Sequence, residues 1–546
     1  MKQIKLVLVL FFLALSGTAL MAQKPNETKG EYNQRMKWWD DGRMGMFIHW
    51  GVYSTFGGEY NGQDYGKDMG QCSAEWIYLK ADIPEKVYHK AAQEWNPYKF
   101  NADEWVKMAK DAGMKYMVLT SKHHDGYALF DSKVSDWNVV KCSAIKKDLV
   151  KEFVAACNKY NMKVGFYYSH EKDWTNHVKK ASDKKPLSKE YIEFAKKQIT
   201  ELLTQYGKID LIWFDTPVSQ HKEFNKMCAG LVRKYQPECI INGRIGNGLG
   251  DYKNIGDRTV VDPGLSGYME SIMTMRLNWG YDNNDDCWKS SDEVIKMISH
   301  SVCRGSNFLL NVGPKPNGEI TLEDQVRLHE IGQWIKSNGE AIYQTKGSPF
   351  SKEFVWGSLT RSKDKNIIYL HLQDWTGGNI VLKGLMSKVK DASFLDTGEK
   401  LNFIQNDNNE EVTIKLPLVN TSTSLRIVKL NLDGKNFDTS NGPDFLRPRI
   451  SDKWRSRIFG KVTNVKGIHF SVIGRKVINN KNGSEILKNT LDTLNFTLTD
   501  KSRFRKNDGK NIYTIESIEL KEGVDCNVVY NKSKKGLNVE IFTERY

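Results

Sequence analysis

The segment "KYMVLTSKHHDG", residues 115–126, decides the fold, because a strand-like apolar run passes directly into two histidines, an aspartate and a glycine. Before it, the helix-like stretch "ADEWVKMAKDAG" follows Asn101, which can cap a helix, has Glu104 at the capping-box position and ends at Gly113. A helix, a buried strand and then a polar turn make up one repeating unit of a parallel α/β protein.

The same unit recurs along residues 35–340, where apolar runs alternate with amphipathic helical patterns. One of these helices begins at Ser188 and ends at Gly207. Strands of continuous apolar character, separated by helices, indicate a parallel sheet that is covered on both faces. The number of units predicts a (β/α)8-like (TIM-type) barrel, an α/β fold, rather than an open doubly wound sheet. The runs are "GMFIHWG" (45–51), "KYMVLTS" (115–121), "KVGFYYS" (163–169), "KIDLIWFD" (208–215), "ECIING" (238–243) and "NFLLNVG" (307–313).

The pattern changes after Gly339. Short alternating segments such as "IIYLHLQDW" and "TSLRIVKLNL", separated by Gly, Asn and Asp clusters, predict an antiparallel β-sandwich. The chain that follows is basic and predicts an extra small β-rich C-terminal region. We therefore divide the chain into a signal peptide over 1–22, a catalytic (β/α)8-like barrel over 23–340, a β-sandwich over 341–434, and a linker plus a basic β-rich domain of unknown type over 435–546.

The first residues predict export. Lys2 and Lys5 precede an apolar run, and small residues up to Ala22 suit a signal-peptidase cleavage site. No other stretch is long and apolar enough to span a bilayer, so we expect a periplasmic or extracellular protein without membrane insertion. The 8 cysteines form no CxxC or Cys/His cluster, which argues against a structural zinc site, and we expect mostly free, buried thiols.

The charge of the chain limits its partners. The formal net charge is +14, and from Asn436 onward 21 Lys and Arg face 13 Asp and Glu. Such an excess suits a sulfated or carboxylated polysaccharide, although a solvated basic face would have the same composition. Nucleic acid is not expected for an exported chain without a recognisable binding motif. No glycine-rich phosphate loop follows any strand, which argues against nucleotide binding.

Active sites of such barrels lie at the carboxyl-terminal ends of the strands, so the polar residues that end the apolar runs are the candidates. Alternation places Trp213 and Asp215 on the same side of their strand. Asp215 is therefore either a reactive group at the barrel mouth or the N-cap of a helix that starts near Thr216. The strand-end residues are His49, His123, His124, Tyr167, Tyr168, Trp213, Asp215 and Arg244.

Seven segments, in this order and beside a C-terminal sandwich, resemble the α-L-fucosidases of glycoside hydrolase family 29. The resemblance covers residues 35–430, and "KHHDG" followed by "WFD" is highly specific. It implies an exo-acting, retaining hydrolase that removes terminal α-L-fucose from a fucosylated oligosaccharide or polysaccharide through a covalent glycosyl-enzyme intermediate. It implies neither a cofactor nor a metal ion. The segments are "GMFIHWGVYS", "AEWI", "AGMKYMVLTSKHHDGYALFDS", "GFYYS", "IDLIWFD", "INGR" and "NFLLNVGP".

The resemblance also implies roles for individual residues. Asp215 would be the nucleophile, and Glu270 in "YMESIMTMRLNWGY" (268–281) would be the acid/base, although Met269 stands where the family usually has tryptophan. Thr216 stands where the motif commonly has glycine. Tyr168 is an alternative to Tyr167. The residues that would line the sugar pocket are His49, Glu75, Trp76, His123, His124, Tyr167, Trp213 and Arg244.

Two other functions remain open on the sequence alone. His49, His123, His124 and Asp125 could ligate the metal of a barrel metallohydrolase, but adjacent histidines on a strand point to opposite faces and seldom chelate one ion. A non-catalytic carbohydrate-binding protein on a barrel scaffold would show the same aromatic and polar residues. Retention of two candidate carboxylates favours the enzyme.

Overall fold

The structure is a computed structural model, which describes residues 27–66, 73–176 and 186–445, apart from 376, 407–409 and 419–423, together with seven strand segments between residues 456 and 543. The predicted signal peptide over 1–22 lies outside the described residues. Within this described part, no helix combines the length and the apolar character that a membrane span requires.

The predicted barrel-type fold is confirmed. Eight strands form one curled parallel sheet in the order β5-β4-β3-β2-β1-β8-β7-β6. The segment 242–252 connects the two outermost strands, and the backbone N–H of Gly243 in it donates to Asn254 Oδ1 at 3.1 Å. The strands are β1 (Met44–Ile48), β2 (Tyr116–Lys122), β3 (Lys163–Ser169), β4 (Leu211–Asp215), β5 (Ile240–Ile241), β6 (Lys253–Asn254), β7 (Met269–Thr274) and β8 (Ser306–Val312).

Helices cover the outer face of this sheet. The predicted caps are confirmed, because the side chains of Asn101 and Ser188 accept from the backbone N–H of Glu104 at 3.3 Å and of Tyr191 at 3.1 Å. The helices are α1 (Lys29–Gly42), α2 (Ile77–Lys80), α3 (Glu85–Glu94), α4 (Ala102–Asp111), α5 (Leu149–Lys159), α6 (Lys189–Gln205), α7 (Lys222–Tyr235), α8 (Ser291–Cys303) and α9 (Leu322–Asn338); short 3₁₀ turns include Val52–Phe56, Ala74–Trp76, Ser219–His221, Gly243–Ile245 and Gly339–Ala341.

Strands β6 and β7 were not predicted from the sequence. Strand β6 has only two residues, and β7 reads "MESIMT", in which Glu270, Ser271 and Thr274 interrupt the apolar pattern. All six residues of β7 are nevertheless buried. The polar ones are tolerated because neighbouring side chains satisfy them; Ser271 Oγ, for instance, lies 3.1 Å from Ser306 Oγ on β8.

Alternation along β3 separates the interior of the barrel from the layer of helices. Tyr167 belongs to the cluster inside the barrel together with Phe47 and Trp213. Tyr168 points to the opposite side, where its hydroxyl donates to Gln198 Oε1 of α6 at 2.9 Å. Tyr168 therefore lies outside the barrel interior and is not an alternative to Tyr167 at the barrel mouth.

Antiparallel sheets follow the barrel. A five-stranded sheet is formed by β9 (Thr345–Lys346), β10 (Ser358–Ser362), β11 (Ile367–His371), β13 (Val389–Phe394) and β16 (Ile427–Leu432), and a three-stranded sheet by β12 (Ile380–Lys383), β14 (Phe403–Gln405) and β15 (Glu411–Ile414). Both contribute to a second hydrophobic core. A seven-stranded sheet, antiparallel except for the parallel pair of β20 and β23, contains β17 (Ser456–Lys466), β18 (His469–Asn479), β19 (Glu485–Thr497), β20 (Arg503–Asn507), β21 (Ile512–Ile515), β22 (Asp525–Tyr530) and β23 (Glu540–Thr543).

Candidate active site

Asp215 is the last residue of β4, at the carboxyl-terminal end of the barrel. Its Oδ2 accepts from the Tyr167 hydroxyl at 2.8 Å, and its Oδ1 accepts from the backbone N–H of Thr216 at 2.7 Å and contacts Arg244 NH2 at 2.6 Å. His124 Nε2 lies 3.7 Å from Oδ2. The carboxylate is thus held in one orientation by donors from three strands or their following turns.

The surroundings of Asp215 keep it ionised. Burial on its own would raise the pKa of this carboxyl, but the Arg244 guanidinium, the Tyr167 hydroxyl and the Thr216 N–H outweigh burial and lower the pKa below its usual value. An ionised, oriented carboxylate at the barrel mouth is what a nucleophile requires. Asp215 caps no helix, because the turn Ser219–His221 follows Val218 and has no side-chain cap.

Thr216, directly after the nucleophile candidate, has a backbone conformation that favours glycine. Its φ angle is +53°, in the left-handed region that a residue with a Cβ rarely adopts. Its Oγ1 is buried without a hydrogen-bond partner. The strained residue is the one whose N–H donates to Asp215 Oδ1, so local strain lies directly beside the hydrogen bond that orients the carboxylate.

Three imidazoles from β1 and the end of β2 form one wall of the pocket. The ring centroids of His49 and His123 are 5.6 Å apart, and those of His123 and His124 are 4.2 Å apart. Burial lowers the pKa of His49 to about 4 and lowers the pKa values of His123 and His124 well below the usual range. The imidazoles are therefore neutral near pH 7, which suits hydroxyl groups better than anions.

Hydrogen bonds fix the tautomers of two of these histidines. Asn311 Nδ2 donates to the Trp279 carbonyl, so its Oδ1 accepts from His49 Nδ1 at 2.7 Å. Ser169 Oγ donates to the Lys172 carbonyl, so the 2.6 Å contact with His124 Nδ1 makes that nitrogen the donor. In the neutral rings, both Nε2 atoms are then acceptors that face the pocket.

The expectation that adjacent histidines point to opposite faces fails for His123 and His124 because β2 ends at Lys122. Both rings reach the same pocket: His123 lies 5.5 Å from the Tyr167 ring and His124 lies 5.0 Å from the Trp76 ring. Within the described residues, no group of three or more His, Cys, Asp or Glu side chains is arranged to hold a metal ion.

Aromatic rings complete the pocket. Tyr167 stacks on Trp213 with centroids 5.7 Å apart, and the Arg244 guanidinium lies 5.3 Å above the Trp213 ring. Trp279, which the sequence did not single out, packs against His49 with ring centroids 5.1 Å apart. Glu75 fixes the loop that carries this tryptophan, because its Oε2 accepts from the Gly280 N–H at 3.0 Å. Burial raises the pKa of Glu75 to about 7.

Glu270 does not lie beside Asp215 at the barrel mouth. It is the second residue of β7, is fully buried, and bonds to Tyr116, the first residue of β2, at 2.8 Å. Its other oxygen accepts from Trp213 Nε1 and Asn254 Nδ2, each at 3.0 Å. The indole of Trp213 therefore separates Glu270 from the pocket. Burial raises the pKa of Glu270 to about 7.

A different carboxylate approaches Asp215. Asp257 pairs with NH1 of Arg244, whose NH2 pairs with Asp215, so one guanidinium links the two carboxylates. The side chain of Asp257 is 52% exposed, in contrast to 11% for Asp215. The sequence offered no signal for Asp257, because it lies in the irregular segment between β6 and β7 and ends no apolar run. The structure thus brings together Asp215, His49, His123, His124, Tyr167, Trp76 and Arg244, and it adds Asp257 and Trp279.

Known proteins resemble this chain over most of its length. The profile of the family described as Alpha-L-fucosidase matches residues 13–340. Human plasma alpha-L-fucosidase is 28% identical over 407 residues, which cover 70% of this chain and 85% of that protein. A glycoside hydrolase family 29 alpha-L-fucosidase from Bacteroides thetaiotaomicron, crystallised as a covalent intermediate with 2-fluoro-fucosyl fluoride, is 30% identical with a TM-score of 0.67, over 76% of this chain and 99% of that one.

The alpha-L-fucosidase from Vibrio sp. strain EJY3 is similar over a longer stretch. It is 26% identical, with a TM-score of 0.69, and the match covers 93% of this chain and 97% of that one. This coverage extends past residue 434, so the likeness includes part of the basic β-rich region as well as the barrel and the sandwich.

Proposed function

The chain belongs to the α-L-fucosidase family, and from this premise we propose that it is an exo-acting, retaining glycosidase that removes terminal α-L-fucose by way of a fucosyl ester on Asp215. The observation that carries the proposal is the environment of that carboxylate. It is the only strand-end carboxylate among the described barrel residues that a guanidinium, a phenol and a backbone N–H all address.

The first step forms the bond from an Asp215 oxygen to C1 of the sugar and breaks the bond from C1 to the leaving oxygen. A protonated carboxyl gives its proton to that oxygen as it leaves. In the second step water attacks C1, its proton passes to the same carboxyl group, and Asp215 is released as a carboxylate. Two inversions at C1 leave the configuration unchanged.

The proton donor was predicted to be Glu270, but its surroundings favour Asp257. A donor that later acts as a base must reach the leaving oxygen and exchange protons with water. Glu270 is closed off by Trp213, whereas Asp257 is half exposed. In the free protein Asp257 pairs with Arg244, so it can act as the proton donor only after a bound substrate displaces it from this ion pair and it takes up a proton from water. Two carboxylates that bind the two terminal nitrogens of one guanidinium lie within several ångström of each other, a range that includes the separation of about 5–5.5 Å in retaining enzymes.

Sugar recognition follows from the neutral rings. The Nε2 atoms of His49 and His124 accept hydrogen bonds from hydroxyls, and His124 Nε2 and Asp215 Oδ2, 3.7 Å apart, are placed to contact one hydroxyl next to C1. Trp279 offers an apolar face to the C6 methyl group of fucose. A site of this kind discriminates against sugars that lack the hydroxyls, because its polar atoms would stay unpaired.

Covalent trapping tests the nucleophile. We expect the protein incubated with 2-deoxy-2-fluoro-fucosyl fluoride to gain one fluorofucosyl group, and fragmentation of the digested protein to place it on Asp215. Asp215→Asn should stay unlabelled and should lose roughly 10⁴-fold in kcat on 4-nitrophenyl α-L-fucoside. A label on another residue, or full activity of the variant, would overturn the assignment. A binding protein without catalysis would release no nitrophenol at all.

We also propose that the enzyme is exported by residues 1–22. Cell fractionation of the native host is the test: a mature form that begins at Gln23 is expected outside the cytoplasm, and an uncut cytoplasmic chain would contradict this.

A further inference from the structure

A second cavity lies at the end of the barrel opposite the active site. Its volume is about 550 Å³, within the range of ligand sites. Arg43 and Gly305, which precede β1 and β8, and Met269, the first residue of β7, line its barrel side. Lys346 and Arg361 of the five-stranded sheet line its other side. The cavity therefore lies between the barrel and the sandwich.

The lining of this cavity is cationic. The acidic residues in it are Asp40 and Glu353, and both have partners: Glu353 is held by Arg304 at 2.9 and 3.1 Å, and Asp40 lies 2.6 Å from Lys363 and 3.2 Å from Arg43. The basic side chains in the lining are Lys29, Arg43, Arg304, Lys346 and Arg361. After these pairings a positive excess faces the cavity.

Two of the cations face each other without a carboxylate between them. Lys346 and Arg361 are directly opposite in the antiparallel pair of β9 and β10, an arrangement that destabilises a sheet when the charges are alike. Arg361 Nε donates to the Gly347 carbonyl at 3.2 Å. Within the described residues, neither Lys346 nor the terminal nitrogens of Arg361 contact a carboxylate. Burial lowers the pKa of Arg361, and no acidic group counteracts it.

Arg43 adds an unsatisfied donor. It is 2% exposed, and its Nε is buried with no hydrogen-bond acceptor, whereas its NH1 donates to the Gly305 carbonyl at 3.2 Å. A buried N–H without an acceptor is unfavourable unless a ligand supplies one. The like-charged pair and this donor are independent observations, and an oxyanion bound in the cavity would suit both.

We propose that this cavity binds the oxyanion groups, sulfate esters or carboxylates, of an acidic polysaccharide. Guanidinium groups recognise both kinds of oxyanion through paired N–H donors. The partly exposed ring of Tyr268 lines the same cavity and offers a face on which a sugar ring can pack, and the buried Tyr32 ring supports it with centroids 5.6 Å apart. A chain held here and at the barrel mouth is bound at two points, which raises the local concentration of its fucosyl ends.

Binding of three polysaccharides to the full-length protein tests the inference. Isothermal titration at low salt would compare sulfated fucoidan, carboxylated polygalacturonate and neutral dextran. We expect an acidic polymer to bind and dextran not to bind, and the acidic polymer with the lower Kd identifies the preferred oxyanion. Equal binding of dextran, or no binding of either acidic polymer, would overturn the proposal.

A pair of matched variants localises the binding. Lys346→Gln with Arg361→Gln should weaken binding of the acidic polymer at least roughly 10-fold. Lys107→Gln with Lys151→Gln removes the same charge from exposed sites on α4 and α5 and should leave the Kd unchanged. Both variants should retain activity on 4-nitrophenyl α-L-fucoside, because neither touches the active site. If the first variant binds as tightly as the second, the acidic polymer binds elsewhere and the proposal is wrong, whatever the outcome of the trapping experiment.

Discussion

The barrel holds two buried carboxylates on opposite sides of one indole ring, and they differ in the charge of their donors. Asp215, above Trp213, is addressed by the guanidinium of Arg244 as well as by neutral donors, and its pKa falls. Glu270, below Trp213, accepts from a phenol, an indole and an amide, and its pKa rises to about 7. Burial raises the pKa of both groups, so burial does not decide which one is reactive.

Position along the strand accounts for the difference between the two carboxylates. A carboxylate at the carboxyl-terminal end of β4 meets the turns that carry Arg244 and Thr216, and it is open to a substrate. A carboxylate at the start of β7 meets only other strands of the barrel. The first can act on a sugar, whereas the second holds the interior of the barrel together.

Neutralising each candidate proton donor in turn should have the largest effect on activity. Asp257→Asn should lower kcat on an unactivated fucoside about 10²–10⁴-fold, because the leaving oxygen then receives no proton, and the loss should be smaller on the nitrophenyl fucoside. Added azide should restore turnover of the nitrophenyl substrate and give a fucosyl azide of retained configuration.

Glu270→Gln is the matched control. A glutamine can keep its oxygen toward Trp213 and Asn254 and donate its NH₂ to the Tyr116 hydroxyl, so we expect less than about a 10-fold loss. If Glu270→Gln loses more activity than Asp257→Asn, and azide restores the activity of the Glu270 variant, then Glu270 is the proton donor.

The contributions of Asp215 and Glu270 to the stability of the folded protein should change with pH in opposite directions, because their pKa values shift in opposite directions. Glu270 keeps its proton to about pH 7 in the folded protein but loses it near its usual pKa of 4.5 in the unfolded chain. Its favourable contribution is therefore complete below pH 4.5 and is lost as the pH rises to 7, a change of about 3 kcal/mol. Denaturant unfolding of wild type and Glu270→Gln at pH 5 and pH 8 measures this.

The quantity to compare is the difference in free energy of unfolding between wild type and Glu270→Gln. Glu75 and Asp125 also have pKa values raised to about 7, but they contribute equally to both proteins. The Gln variant should gain stability relative to wild type on going from pH 5 to pH 8. A constant difference would show that Glu270 is already ionised at pH 5 in the folded state.

Arg244 is the residue that makes the two carboxylates unlike. Its replacement by Gln should raise the pKa of Asp215, because after burial the Arg244 charge is the largest influence and acts downward. Since Asp215 must be ionised to attack, the acidic limb of kcat/KM should move up by about one to two pH units. Arg244→Lys keeps the positive charge and should move the acidic limb less. If the acidic limb is unchanged in the Gln variant, the hydrogen bonds from Tyr167 and Thr216 are enough to keep Asp215 ionised.

The same residues show how much of the fold and of the site can be predicted from the sequence. Continuous apolar runs predicted the barrel, and their last residues predicted the neighbours of Asp215, because parallel strands of a barrel end at one mouth. The segment from Asn254 to Ser291 was less readable. No helix separates β6 from β7, and β7 ("MESIMT") is a buried strand whose apolar pattern is interrupted by polar residues.

Asp257 was missed for a related physical reason. Its position depends on the path of an irregular loop and on a guanidinium from another turn, and neither leaves a local pattern in the sequence. Trp279 likewise reaches the pocket from a loop whose backbone is held by Glu75 and Asn311. Loops carry such contacts, and their geometry is set by tertiary structure rather than by periodicity.

Asp215 is followed by a strained residue, whereas Glu270 is not, and relieving this strain should change the stability of the protein only slightly. Thr216 adopts φ +53° and buries an unpaired hydroxyl. Thr216→Gly removes a left-handed penalty of about 1–2 kcal/mol and adds backbone entropy of about 0.5–1 kcal/mol to the unfolded chain, so the free energy of unfolding should rise by up to about 1 kcal/mol. The hydrogen bond from the residue 216 N–H to Asp215 Oδ1 is retained, and kcat/KM should change little.

Thr216→Ala is the control for this prediction, because it loses the hydroxyl but keeps the penalty of the left-handed backbone conformation. If Ala stabilises the protein as much as Gly, the cost lies in the unpaired hydroxyl and not in the backbone; if both destabilise it, the threonine side chain contributes packing that outweighs the strain at this end of the barrel.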